Sequence, residues 1–343
     1  MLGIARAILP PLPSIDRYAD GLSDQPASAR RLVGFARTLR WGGVIRSEPD
    51  TQAKQVGSLT ADTILPVYAE IESSSGSSYN KTWYEVPGGY VHSALVHVVD
   101  WRFNQPVATA GEKGFWAELT VPFADPRSTP SETAKRNRYR YYGGTVYKVI
   151  KVVQSTDPGS REWWYQIEDE AFAGAYFLPG KYMRVISPEE FKPISPNIDP
   201  SLKKLIVKLR EQRVYAYERD KVVFTCRTAT GARFVAGDFT TPPGKYFVFR
   251  KTPTQHMYGG AVGDDGSFDL PGIPWVSYFT NSGIAFHGTY WHNDYGVPRS
   301  HGCVNVTSPN AKWIWRWTMP PNDPAERYIH VKKAALGTTV MVE

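Results

Sequence analysis

The sequence predicts a mainly β protein built from more than one unit, and three observations support this. The 343 residues exceed the usual size of one domain, so the chain is long enough to bury two or three separate cores. Aromatic residues make up 13% while Gly (29) and Pro (27) are plentiful, a balance that favours short strands and turns over long helices. From about Gly42 onward, short apolar runs alternate with turn residues.

Taken in order, residues 1–40 mix Pro, Ser, Ala and Arg without lasting periodicity, and only ARRLVGFARTL (Ala29 to Leu39) can form a short helix. Residues 41–100 carry the runs GSLTADTILPVYAEIE and TWYEVPGGYVHSALVHVV around the polar tract SSSGSSYNK, which read as antiparallel strands of a first module. Residues 101–187 repeat the pattern more loosely in TVYKVIKVV and REWWYQIEDE. This makes Trp83-Tyr84-Glu85-Val86 and Trp164-Tyr165-Gln166-Ile167 equivalent strands of two β-barrel modules. Residues 188–201 are Pro-rich and read as a stiff extended linker.

The last unit, residues 202–343, opens with LIVKLREQRVYAYERDKVVFTCRTATG, a hairpin and its continuation, and adds strands at KYFVFRK and GIAFHGTY. TSPNAKWIWRW supplies a helix start, with Thr307 or Ser308 as cap and Pro309 in the first turn. Trp313, Ile314, Trp315 and Trp317 read as that helix packing on a sheet. Cys303 lies just ahead of the helix, where the dipole favours a thiolate.

The formal charge of +7 comes from scattered Lys and Arg without a dense basic block, which argues against nucleic-acid binding. It suits solubility or attraction to an anionic surface such as a cell envelope. Two cysteines, Cys226 and Cys303, do not make a disulfide framework, and Cys226 reads as a strand-packing residue. The opening MLGIARAILPPLP is too short and too interrupted by Pro for a signal h-region or a membrane span.

The chemistry concentrates in HGTYWHNDYGVPRSHGCVNV, His287 to Val306, with three histidines and one cysteine. A free cysteine is mostly protonated at neutral pH, so its use as a nucleophile needs a nearby base, and histidine has the fitting pKa. His301 is two residues from Cys303, too close to wedge a substrate between them; His287 ends a strand and can approach from a neighbouring one. Gly302 leaves backbone N–H groups open to a reacting carbonyl. His292 reads as a solvated loop residue, and Arg299 either binds a carboxylate or is an ordinary surface charge. A zinc site of His287, His292, His301 and Cys303 is the competing reading, although the order lacks the usual metal-ligand spacing. The Gly-rich stretch Gly259 to Trp275 is a candidate lid.

With His287-Gly288-Thr289 upstream and Ser300-His301-Gly302-Cys303-Val304-Asn305 downstream, residues 202–343 resemble the YkuD-type L,D-transpeptidases; TPPGKYFVFRK and the closing GTTVMV strand fit the same family. The N-terminal half is similar to the SH3-like β-barrel modules found beside such domains. The resemblance implies an L,D-transpeptidase-type β-sandwich preceded by one or two small SH3-like modules. It also implies a peptidoglycan 3-3 cross-linking enzyme acting outside the cytoplasm, with stem peptides as both donor and acceptor. Cys303 would form the thioester, and His287 would act as base, oriented by the Gly288 carbonyl. Gly302 and Cys303 N–H groups would hold the oxyanion, while His301, Ser300, Asn305 and Arg299 would shape the site or bind substrate. No metal, organic cofactor or obligate protein partner is implied. Two alternatives stay open: an L,D-carboxypeptidase using water as acceptor, and a non-enzymatic wall-binding protein.

Overall fold

A computed structural model of the chain describes residues 32–39, 42–74, 79–171, 174, 176–260, 267–331, 333 and 336–343. Strands dominate it, in three units that share their cores rather than hanging as separate beads.

The first unit begins at Gly34, earlier than the expected boundary at 41. Gly34–Thr38 is a strand, not part of a helix; it lies between Ile64–Val67 and Val96–Val99, paired antiparallel to both. The helical spacing of its apolar residues is overridden because the strand is central, and even Arg37 is buried. The part of the expected helix before residue 32 lies outside the described residues. A five-stranded sheet completes the unit around Ala36, Leu65, Val67, Tyr84, Val86, Val91 and Val96.

The second unit is a five-stranded sheet drawn from Phe115–Leu119, Val146–Gln154, Trp163–Glu168, Tyr176–Pro179 and Met183–Val185. Thr82–Val86 and Trp163–Glu168 show the same in-and-out burial, each with a buried Trp and each paired on both sides, in keeping with the repeat read from the sequence. Phe35, Ile64, Val99 and Trp101 of the first unit pack into the core of the second, so the two are fused.

Residues 188–201 are not an extended linker. Pro188–Phe191 and Pro200–Leu202 are short 3-10 turns, and Phe191 is buried edge-on against Trp275 and Trp315. Glu190 joins Arg184 of the second unit to Lys312 of the last, so the start of the segment is tied to both.

The last unit is a sandwich of two five-stranded sheets. One runs Lys221–Arg227, Arg213–Glu218, Lys203–Lys208, Thr339–Val342, Gly244–Phe247. Lys203–Lys208 alternates buried and half-buried residues, the mark of a strand with one face to the core. The other runs Val304–Val306, Ala285–Gly288, Phe268–Tyr278, Arg250–Gly259, Ile329–His330. Leu205, Val207, Val214, Val340 and Val342 meet Phe286, Val304, Val306 and Trp275 between the sheets, each burial worth about 1.5–3 kcal/mol. Helix α1 (Ser308–Trp317) adds Ile314, Trp315 and Trp317 to this core, as its sequence predicts, with Thr307 capping the Asn310 N–H at 3.4 Å. Trp313 stacks on Phe224 at 4.0 Å. Cys226 is buried in its strand, its thiol pushed up to about 12 by burial.

Candidate active site

A parallel pairing sets the strand of His287 beside the strand that Cys303 immediately precedes. Ala285–Gly288 runs beside Val304–Val306 with Phe286 opposite Val304 and His287 opposite Asn305. Side chains alternate along strands, so Cys303 and His287 project to the same face of neighbouring strands, offset by one pleat. The cysteine thiol donates to the Gly283 carbonyl at 3.8 Å and accepts from the Ala285 N–H.

Burial dominates the electrostatics. It pushes the Cys303 thiol up to about 11 and His287 down to about 4, the latter against the pull of the Gly288 carbonyl. At neutral pH Cys303 is therefore a thiol and His287 a neutral imidazole. The thiolate expected from the helix dipole is not set up: strand Val304–Val306 separates Cys303 from the start of α1, and the dipole fades beyond the first turn. His287 Nδ1–H donates to the Gly288 carbonyl at 3.0 Å, which leaves Nε2 as the basic nitrogen. Gly288 has no room for a side chain, since a Cβ would stand 2.7 Å from Ser308 Oγ.

The motif around Cys303 is fixed by its own sandwich. Gly302 adopts φ +111°, a conformation suited to glycine. Its N–H is already taken by Ser300 Oγ at 3.2 Å, contrary to the expectation of an open donor, and its carbonyl accepts from Thr241 Oγ1 at 2.8 Å. Ser300 Oγ donates to the Cys303 carbonyl at 2.5 Å, so Ser300 braces the turn rather than pointing outward. Asn305 pairs its backbone with Ala229, and its carbonyl also accepts from Thr228 Oγ1 at 2.8 Å.

His292 is buried, not solvated. Its Nδ1 accepts from the Asp294 N–H at 3.4 Å, so its proton belongs on Nε2, which faces the Asn305 amide at 3.0 Å. Asn305 then presents Oδ1 to it, which gives a partner to an oxygen otherwise buried without one. Arg299 pairs with the buried Asp294, which also accepts from Asn80 at 3.0 Å, while the Arg299 side chain stays 44% exposed.

His301 sits in an aromatic cluster, stacked on Phe234 at 4.7 Å with Phe239 and Phe268 around it, and burial lowers its pKa. Phe268 comes from the expected lid, but Phe268–Trp275 lies within the long strand Phe268–Tyr278, paired to Arg250–Gly259, instead of in a loop; residues 261–266 lie outside the described residues. Among the described residues, no group of three or more His, Cys, Asp or Glu is gathered as the zinc reading requires. Nor does a helix among them have the length and apolarity to cross a membrane.

Sequence reasoning missed Thr241, Thr228 and Asp294, and above all Arg37, His97 and Asn80 of the first unit, which touch the His287 loop. No local signal could have found those three, because their partners lie roughly two hundred residues away. A cavity of about 350 Å³ where the three units meet is lined by residues such as Glu70, His97, Glu118 and Tyr295, and by neither Cys303 nor His287.

The family model described as the YkuD L,D-transpeptidase catalytic domain matches residues 203–342. A Bacillus subtilis protein named "Putative L,D-transpeptidase YciB" is 25% identical over 119 residues, 32% of this chain. The chain spans 57% of the length of that relative. Among solved structures, the catalytic domain of the Enterococcus faecium L,D-transpeptidase is 21% identical, with TM-score 0.31, over 41% of this chain and 96% of that one. An L,D-transpeptidase from Mycobacterium smegmatis is 16% identical, with TM-score 0.34, over 73% of this chain and 92% of that one.

Proposed function

We propose that this chain, whose residues 203–342 are a YkuD-type L,D-transpeptidase catalytic domain, forms 3-3 cross-links between peptidoglycan stems through a thioester on Cys303. L,D-transpeptidases of this family act on peptidoglycan outside the cytoplasm, so the site of action is the cell envelope.

The observation that carries the reading is the pairing of a neutral, carbonyl-anchored His287 with the Cys303 thiol on one face of adjacent strands. Cys303 Sγ attacks the carbonyl of the third stem residue while its proton passes to His287 Nε2. The C–N bond to the terminal D-alanine breaks, and that amine leaves with the proton from His287. A side-chain amine of a second stem then attacks the thioester, gives its proton to His287 and frees the thiol. The Gly302 N–H is engaged by Ser300, which leaves the Cys303 N–H to face the oxyanion unless the Ser300 bond, at 3.2 Å, yields as the substrate enters. The thiol's high pKa makes base assistance necessary, because few thiolates exist at neutral pH. The two N-terminal units, proposed as SH3-like, would present the polymer to the site.

The test is intact mass of the wild type and of Cys303→Ala after incubation with a disaccharide-tetrapeptide, with analysis of the muropeptides. An acyl adduct on the wild type alone and a 3-3 linked dimer are expected. Tripeptide and free D-alanine without a dimer would replace the reading with an L,D-carboxypeptidase; unchanged substrate would leave a wall-binding protein.

A further inference from the structure

Arg37 Nη2 donates to the Tyr290 carbonyl at 2.6 Å, and His97 Nε2 donates to the Thr289 carbonyl at 3.1 Å. The two side chains are direct cross-strand partners in the first unit, Arg37 opposite His97. One facing pair thus grips two successive carbonyls immediately after Gly288, the residue whose own carbonyl sets the His287 ring.

Arg37 is itself held firmly. Its Nη1 donates to Asp62 at 2.9 Å, and the other Asp62 oxygen accepts from Arg140 at 3.0 Å. Arg140 is bidentate to Asp125 at 2.8 and 2.9 Å, anchoring the series in the second unit. The Arg37 guanidinium also lies 4.1 Å over the Tyr142 ring, and Tyr142 stacks on Tyr290 at 5.4 Å. A planar fork that bonds a carboxylate and a carbonyl while stacking on a ring fixes its target more tightly than a lysine could. Farther along the loop, Asn80 holds Asp294.

We infer that Arg37 and His97 are positioning residues for His287, so that the first unit is a structural wall of the reaction site and not only a tether to the polymer. The inference rests on the reading of His287 as base to Cys303. A displacement of about 1 Å at a reacting group costs on the order of a hundredfold in rate; the Gly288 peptide is paired with Val306 in its own sheet, and the Thr289 and Tyr290 carbonyls just beyond it accept from His97 and Arg37.

The test uses the full chain and two readouts: alkylation of Cys303 by iodoacetamide at pH 7, read by peptide mass, and turnover of the disaccharide-tetrapeptide. His97→Phe is expected to slow alkylation roughly tenfold to a hundredfold, towards His287→Ala, and to lower kcat similarly with KM within about threefold. His97→Gln, which can still offer an N–H to the Thr289 carbonyl, is expected to recover to within about threefold of wild type. Wild-type alkylation in His97→Phe, or His97→Gln as slow as His97→Phe, overturns the inference. Should His97→Phe show no cooperative melt, Arg37→Lys carries the test, with tenfold slowing expected at an order of magnitude and a wild-type rate overturning it. The His97 pattern in alkylation without stem turnover by the wild type would sink the transpeptidase reading and leave this inference standing. Turnover without the pattern would do the reverse.

Discussion

The two sides of the reaction site are held by different parts of the chain. On the cysteine side, Thr241, Ala229 and Ser300, all of the catalytic sandwich, fix the backbone from Ser300 to Asn305. On the histidine side, Arg37, His97 and Asn80 of the first unit reach across to residues 289–294. Cys303, the proposed nucleophile, is thus placed by its own sandwich, while His287, the proposed base, leans on a neighbour. A fragment cut at residue 202 would keep the motif and lose the support of its partner.

The largest expected effect breaks the comparison at its centre. His287→Ala should lower the rate of Cys303 acylation by about 10²–10⁴, read from burst kinetics with a stem tetrapeptide. A loss under tenfold would mean that the thiol finds its base elsewhere.

The next prediction asks whether the two sides are independent. Thr241 Oγ1 accepts from the Gly231 N–H at 2.9 Å and donates to Gly302, so Thr241→Val strands two buried backbone groups and should cost about 1–3 kcal/mol of stability. Its effect on the acylation barrier and that of His97→Phe should add to within about 0.5 kcal/mol. A larger coupling energy would show that the sides form one unit.

Acid should separate them further. Burial holds His97 and His287 at about 4 and His292 at about 3, all below the usual 6.5. Between pH 6.5 and about 4 the unfolded chain therefore binds protons that the folded chain does not, and stability falls as the pH falls. His256, clasped by Asp169 and Asp269 with its pKa raised, acts in the opposite sense: its stabilisation is present below 6.5 and is lost as the pH rises through its folded value. Protection factors of the 289–295 amides, corrected for intrinsic exchange, should fall on acidification before those of 228–232; simultaneous loss of protection would refute a weaker histidine side.

The smallest effect concerns Arg299. Its engagement with Asp294 predicts that Arg299→Gln lowers the melting temperature by a few degrees while KM stays within about twofold. A tenfold rise in KM at an unchanged melting temperature would return Arg299 to the role of a substrate anchor.

The alternating strands, the capped tryptophan helix and the motif from His287 to Asn305 were legible in the sequence because each is encoded within a few residues: a period, a cap, a spacing. What was not legible depends on distant partners. Gly34–Thr38 became a strand because two others flank it, and Phe191 turned a linker into core because Trp275 and Trp315 offer it a slot. His292 reads as solvated in the sequence because nothing local shows Asn305 beside it. The thiol's raised pKa likewise follows from burial, not from the residues next to it in the chain.

The parallel pairing of Lys203–Lys208 with Thr339–Val342 sets an order in time. The opening strand of the sandwich must wait for Thr339–Val342, so the sheet packed behind the candidate site cannot be completed on the ribosome until synthesis has passed residue 342. The N-terminal units face no such delay and can be folded by then. During biosynthesis, the support for the histidine loop is ready before the histidine arrives.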